Sequence, residues 1–176
     1  MTADLGRFTP PEIDASAVER MSELCDYIED GRSVDAVSEM LAEWNGYAHR
    51  DYEKHEFESY YQSMDKSEFV TDALMPAGER IDDLKFSEFV AAMDAVTTGV
   101  LDEARLGFVM RMLDANLPGS QLSDLIYWPE EWFSDPAAKD LELTTEQLVV
   151  YAAARAQRAL PDAPPVELPL PVPTRG

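Results

Sequence analysis

The residues of this chain best suited to chemistry are two neighbouring rings and the carboxylates around them, and that chemistry is recognition. In Ser123-Asp124-Leu125-Ile126-Tyr127-Trp128-Pro129 a carboxylate precedes the Tyr-Trp pair, a proline closes the string, and Glu130 and Glu131 follow. Buried aromatics recur at helical or strand spacing, so adjacent Tyr127 and Trp128 force at least one ring away from an interior. Rigid aromatics beside acids have the composition of an interface hot spot. Two structural readings stay open. Either ring can pack on Trp132 and Phe133 to pin its loop, and Asp124 can cap a short helix by accepting backbone N–H bonds.

Candidates for bond-making chemistry are poor. The two histidines, His49 and His55, stand six apart with Glu53 and Glu56 nearby. A metal pair on a helix needs spacing of three or four so that both ligands share a face. The single cysteine, Cys25, falls on an apolar stripe and excludes an internal disulfide. No catalytic, cofactor or metal site is therefore expected, and the chain does not read as an enzyme.

Charge narrows the partners. Thirty-five acids against 14 Lys plus Arg give a net charge of −21. Such a chain is a poor ligand for nucleic acid or anionic membrane, because counterion release needs basic residues. A basic partner is drawn to it, and long-range attraction raises the encounter rate. Plain solubility accounts for the acidity equally well. At 176 residues, 45% hydrophobic and 10% aromatic, the chain can bury a real core. It has no apolar run near the ~20 residues that span a bilayer. Met1 to Phe8 carry Asp4 and no apolar signal region, so a cytoplasmic protein is expected.

The elements that must position these residues read as all-α, a helical bundle. Ser16-x-x-Glu19 is a capping-box pattern, after which Val18, Met21, Cys25 and Ile28 repeat at helical spacing up to Gly31. Ser33 opens a second helix with Val34, Val37, Leu41, Trp44 and Ala48 on one face. A third segment, 56–64, presents Phe57, Tyr60, Tyr61 and Met64. Asp65-x-x-Glu68 caps a fourth, which carries Phe69, Val70, Ala73 and Leu74 and halts at Pro76. Pro76-Ala77-Gly78 is the best internal boundary. Beyond it come a helix with Phe89, Val90, Met93 and Val96, and one opened by Asp102 with Leu106, Val109, Met110 and Leu113. The aromatic string makes one turn or two, and a polar loop 134–143 leads to Thr144-x-x-Gln147, which caps the last helix. Three regions result: an acidic helical region 1–82, a second helical region 83–160, and a proline-rich tail 161–176 that reads as extended and disordered.

Residues 123–129 also resemble the short third helix of the colicin and pyocin nuclease immunity proteins, whose signature is S-D-L-I-Y-Y-P. Six of seven letters match, with Trp128 at the second tyrosine. The resemblance extends over residues 83–160, with 83–98, 102–116, 122–128 and 145–160 standing for the family's four helices in order. It implies a distorted four-helix bundle, extended here by N-terminal helices, that binds and inhibits a cognate bacteriocin toxin with a basic nuclease domain. Asp124, Tyr127 and Trp128 fall on the family's partner-contacting acid and aromatic pair. Glu130 and Glu131 continue that acidic surface. In the family the second helix selects the toxin, which makes Asp102, Glu103 and Arg105 candidates. Residues 1–82 have no counterpart in the small members, and their 20 acids and 7 bases add attraction. A general acidic interaction module, or a DNA mimic, is the competing reading. Distributed carboxylates at phosphate-like spacing would mark a mimic, whereas this chain concentrates its aromatics.

Overall fold

Helix caps and apolar stripes govern the backbone. The computed structural model describes residues 5–31 and 33–173, and among these it holds nine α-helices and no strand. No helix among them is long and apolar enough to cross a membrane. The chain forms two compact units, one of residues 10–77 and 101–108, the other of the described residues within 1–9, 78–100 and 109–176.

The first unit is built on α1 (Ala15–Asp30), α2 (Val34–Tyr47), α3 (Lys54–Phe57) and α4 (Lys66–Leu74). Asp14, not Ser16, caps α1: its carboxylate accepts the Ser16 N–H and hydroxyl at 3.0 and 2.7 Å. Those bonds hold its pKa below the ordinary value. Gly31 ends α1 in the left-handed region, where a Cβ is costly. Asp65 and Glu68 close a reciprocal capping box on α4. The core gathers Trp44, Tyr52, Phe57 and Phe69, with Trp44 edge-on to Phe57 at 4.8 Å and stacked near Phe69 at 5.4 Å. Cys25 lies fully buried there, and burial pushes its thiol up to about 12. Two apolar positions depart from expectation. Val34 is the first residue of its helix, too early to reach the core, and is exposed; Tyr61 lies in a one-turn 3-10 helix, Tyr60–Gln62, whose tighter winding turns only Tyr60 onto Phe69.

The second unit contains α5 (Phe86–Thr97), the part of α6 (Glu103–Asn116) from residue 109 onward, α7 (Leu122–Tyr127), α8 (Pro129–Phe133) and α9 (Thr145–Arg155). α5 packs against α9. Residues 5–9 also belong to this unit. Phe8 is buried edge-on to Phe89 at 5.5 Å, and Arg7 reaches both Asp83 and Glu88. Backbone also crowds backbone at Gly78, where a Cβ would lie 2.1 Å from the Arg111 carbonyl oxygen. Asn116, fully buried, donates to the Glu79 and Met112 carbonyls and accepts the Ile81 N–H. Arg158 closes the same corner, donating to the carbonyls of Asn116, Ile81 and Asp82.

Thr144 and Gln147 form the expected capping box on α9, but the helix ends at Arg155, five residues before Leu160. Residues 161–173 of the proline-rich tail carry no helix or strand and are tied down where composition alone predicts disorder, and 174–176 lie outside the described residues. The Tyr151 hydroxyl donates to the Leu170 carbonyl at 2.5 Å and accepts its N–H at 3.0 Å. Gln147 donates to the Glu167 carbonyl, and Asp162 accepts the Phe86 N–H at the start of α5. Extended backbone leaves its polar groups unpaired along the chain, so polar side chains of α9 can claim them.

A candidate interaction surface on α7 and α8

Proline sets the geometry of this site. α7 winds with Leu122 and Leu125 buried, three residues apart on one face. Had the helix continued, Trp128 would have fallen on that same face. Pro129 prevents this, because its ring disfavours helical backbone in the residue before it. Trp128 accordingly leaves the helix at φ −138 and ψ 62, and Pro129 starts α8 as its first residue, buried. Trp128 thus ends one helix and begins the next, its carbonyl accepting the N–H groups of Glu131 and Trp132.

Tyr127 and Trp128 are consequently 54% and 50% exposed, with ring centroids 5.8 Å apart in an edge-to-face pair. Among the described residues neither ring forms an aromatic pair with Trp132 or Phe133. Asp124 sits in the first turn of α7, but Gln121 is the N-cap and receives no side-chain capping bond. Among the described residues the side chains of Asp124, Tyr127, Trp128, Glu130 and Glu131 have no hydrogen-bond or ion-pair partner. Two amphipathic rings and three carboxylates therefore keep their full bonding capacity on one short helix–helix junction.

What holds this junction rigid was not foreseen from sequence. Trp132 is buried and donates its indole N–H to the Ser120 carbonyl at 2.7 Å. Its ring meets Phe133 at 4.7 Å and Tyr151 at 5.6 Å. The Arg155 guanidinium lies over it at 4.8 Å and also reaches the side chain of Gln121, which is held at φ +53. A buried indole normally needs an acceptor, so Trp132 beside the Pro118-Gly119-Ser120 turn was the available signal. Beside Tyr127 the same unit forms a groove of about 380 Å3.

The remaining expected residues belong to the other unit. Asp102 and Glu103 belong to the unit of residues 10–77 and 101–108, whereas Asp124 to Glu131 belong to the second. Asp102 is already engaged: its carboxylate accepts the Arg105 N–H at 2.9 Å and pairs with the Arg105 guanidinium at 3.1 Å. It caps α6 as a local device. His49 approaches the Ala73 carbonyl at 3.2 Å and His55 the Glu53 carboxylate at 3.3 Å. Among the described residues no three His, Cys, Asp or Glu side chains are grouped to hold a metal. No protein-family model matches this chain, and neither a curated protein nor a solved structure matches it.

Proposed function

We propose that this chain is an immunity protein, which binds and silences a basic bacteriocin toxin, a nuclease domain, in the cytoplasm of the cell that makes it. The observation that carries this reading is the exposed Tyr127–Trp128 pair flanked by unpaired carboxylates on a rigidly anchored junction. The order of parts along the chain supports it as well: α5, α6 and the short α7 come in the order of the family's first three helices, and α9, after α8, stands for the fourth. Nuclease domains must be basic to hold phosphate, so an acidic inhibitor is drawn to the surface that the substrate uses. Rim acids such as Glu130 and Glu131 speed association and are screened by salt. The rings supply affinity once they leave water, and each costs roughly 2 kcal/mol when truncated.

Co-expression tests it. The product of the gene immediately upstream is expressed with and without this chain, and growth and complex formation are measured. Rescue of growth, a stable one-to-one complex, and faster dissociation for Tyr127→Ala and Trp128→Ala are expected. A loss of roughly 2 kcal/mol per ring is about thirtyfold in Kd. Equal binding by both variants and the parent removes the assigned surface. Inhibition of several unrelated DNA-binding proteins would instead identify a DNA mimic.

A further inference from the structure

We infer that the groove beside Tyr127 receives an apolar side chain of the basic partner, flanked on that partner by lysine or arginine. The inference rests on the reading of the α7–α8 junction as the docking face. The groove is of mixed polarity: aliphatic side chains line it from Val96 of α5, Leu125 and Ile126 of α7, Leu141 and Leu143 of the following loop, and Leu148 of α9, beside the polar groups of Thr97, Tyr127 and Glu142. Its volume of about 380 Å3 falls within the roughly 300–1,000 Å3 typical of ligand pockets. Tyr127 is itself one of the lining residues, so a partner seated on that ring meets the groove.

Charge selects the occupant. Glu142 lines the groove, is exposed, and has no ion-pair or hydrogen-bond partner among the described residues. Across residues 122–143 there are six acids, and Lys139 is the one base. A second copy of this chain would bring like charge to that rim, and like charges set against each other across an interface are costly. An apolar residue between cations matches this mixed lining, its ring or alkyl group against the aliphatic residues and its flanking charges toward Glu142. Hot spots of this kind pair a desolvated anchor with a polar surround.

The test uses peptides in place of the unidentified toxin. Methyl resonances of the full chain are followed by NMR during titration with acetyl-Lys-Phe-Lys-amide. Acetyl-Glu-Phe-Glu-amide and acetyl-Lys-Gly-Lys-amide are the controls. The methyls of Ile126, Leu141 and Leu143 are expected to shift saturably, with affinity more than about tenfold above either control. Glu142→Lys should reverse the preference between the two Phe peptides, and Thr97→Trp, which places a ring in the groove from an exposed position, should abolish the shifts. No saturable shift, an equal response to all three peptides, or shifts that follow protein concentration alone as in self-association each overturn the inference. The two readings fail separately. Toxin neutralised through Tyr127 and Trp128 with a silent groove sinks only the groove, whereas a filled groove without neutralisation sinks only the toxin.

Discussion

Two adjacent aromatic pairs stand four residues apart in this chain, and they have opposite fates. Trp132 and Phe133 turn inward against Tyr151, with the Trp132 indole bonded to a backbone carbonyl and capped by Arg155. Tyr127 and Trp128 pair edge-to-face with each other and, among the described residues, with no further ring. Residue type cannot explain the difference, since both pairs contain a tryptophan beside a second ring. Position relative to Pro129 does explain it. The proline ends α7 before Trp128 can follow Leu125 inward, then starts a helix whose own inward position is Trp132. The buried pair fixes the platform, and the exposed pair is what the platform presents.

The largest expected effect separates those roles. Trp132→Ala removes a fully packed ring and leaves the Ser120 carbonyl without its donor, so a stability loss of about 3–5 kcal/mol is expected in chemical unfolding. Trp128→Ala should stay within about 0.5 kcal/mol of the parent in the same measurement. Its cost should appear in the dissociation rate of the toxin complex, where changes at one interface mostly fall. Equal stability losses for the two variants would erase the distinction between platform and presented surface.

A smaller effect sharpens the same contrast from behind. The Tyr151 ring packs on Trp132 and Phe133 while its hydroxyl holds both backbone groups of Leu170. Tyr151→Phe keeps the ring and deletes the clasp. A loss of about 1–3 kcal/mol is expected, two hydrogen bonds at roughly 0.5–1.5 kcal/mol each. Amide exchange at Leu170 should accelerate while the indole N–H of Trp132 stays protected. If both accelerate together, the strap and the buried pair form one cooperative piece.

Local rules made most of the helices legible. Asp65 with Glu68, Thr144 with Gln147, and Gly31 mark ends because each satisfies orphan backbone groups within a few residues of itself. Exposure of the Tyr127–Trp128 pair was legible for the same reason, since adjacency and the following proline are local facts. What escaped depends on long-range pairing. Tyr151 finds Leu170 across 19 residues, Trp132 finds Ser120 across 12, and Arg7 finds Glu88 across 81. At Asp102 the local bond to Arg105, one helical turn away, is likewise invisible in composition alone. Side chains with many possible acceptors choose among them only when the chain is folded.

Acids divide as the rings do, and this gives the smallest expected effect. Glu88 is held by Arg7 through paired bonds of 2.9 and 2.7 Å and accepts the Lys85 N–H at 3.0 Å. The Arg7 hydrogen bonds bring its pKa from an ordinary 4.5 down to about 2. A carboxylate depressed on folding adds stability above its unfolded pKa and loses it as the pH falls through its folded one. The contribution of Glu88 is thus present above about pH 4.5 and declines toward pH 2. Glu88→Gln should lower stability at neutral pH and flatten the acid limb of the unfolding curve across that window. Glu130→Gln and Glu131→Gln, whose carboxylates hold nothing within the described chain, should leave stability within about 0.5 kcal/mol. They should instead slow toxin association at low salt and lose that effect as salt is raised. Should Glu88→Gln leave the acid limb as steep as before, the Arg7 pair is a surface contact of no consequence, and residues 5–9 are held by the burial of Leu5 and Phe8.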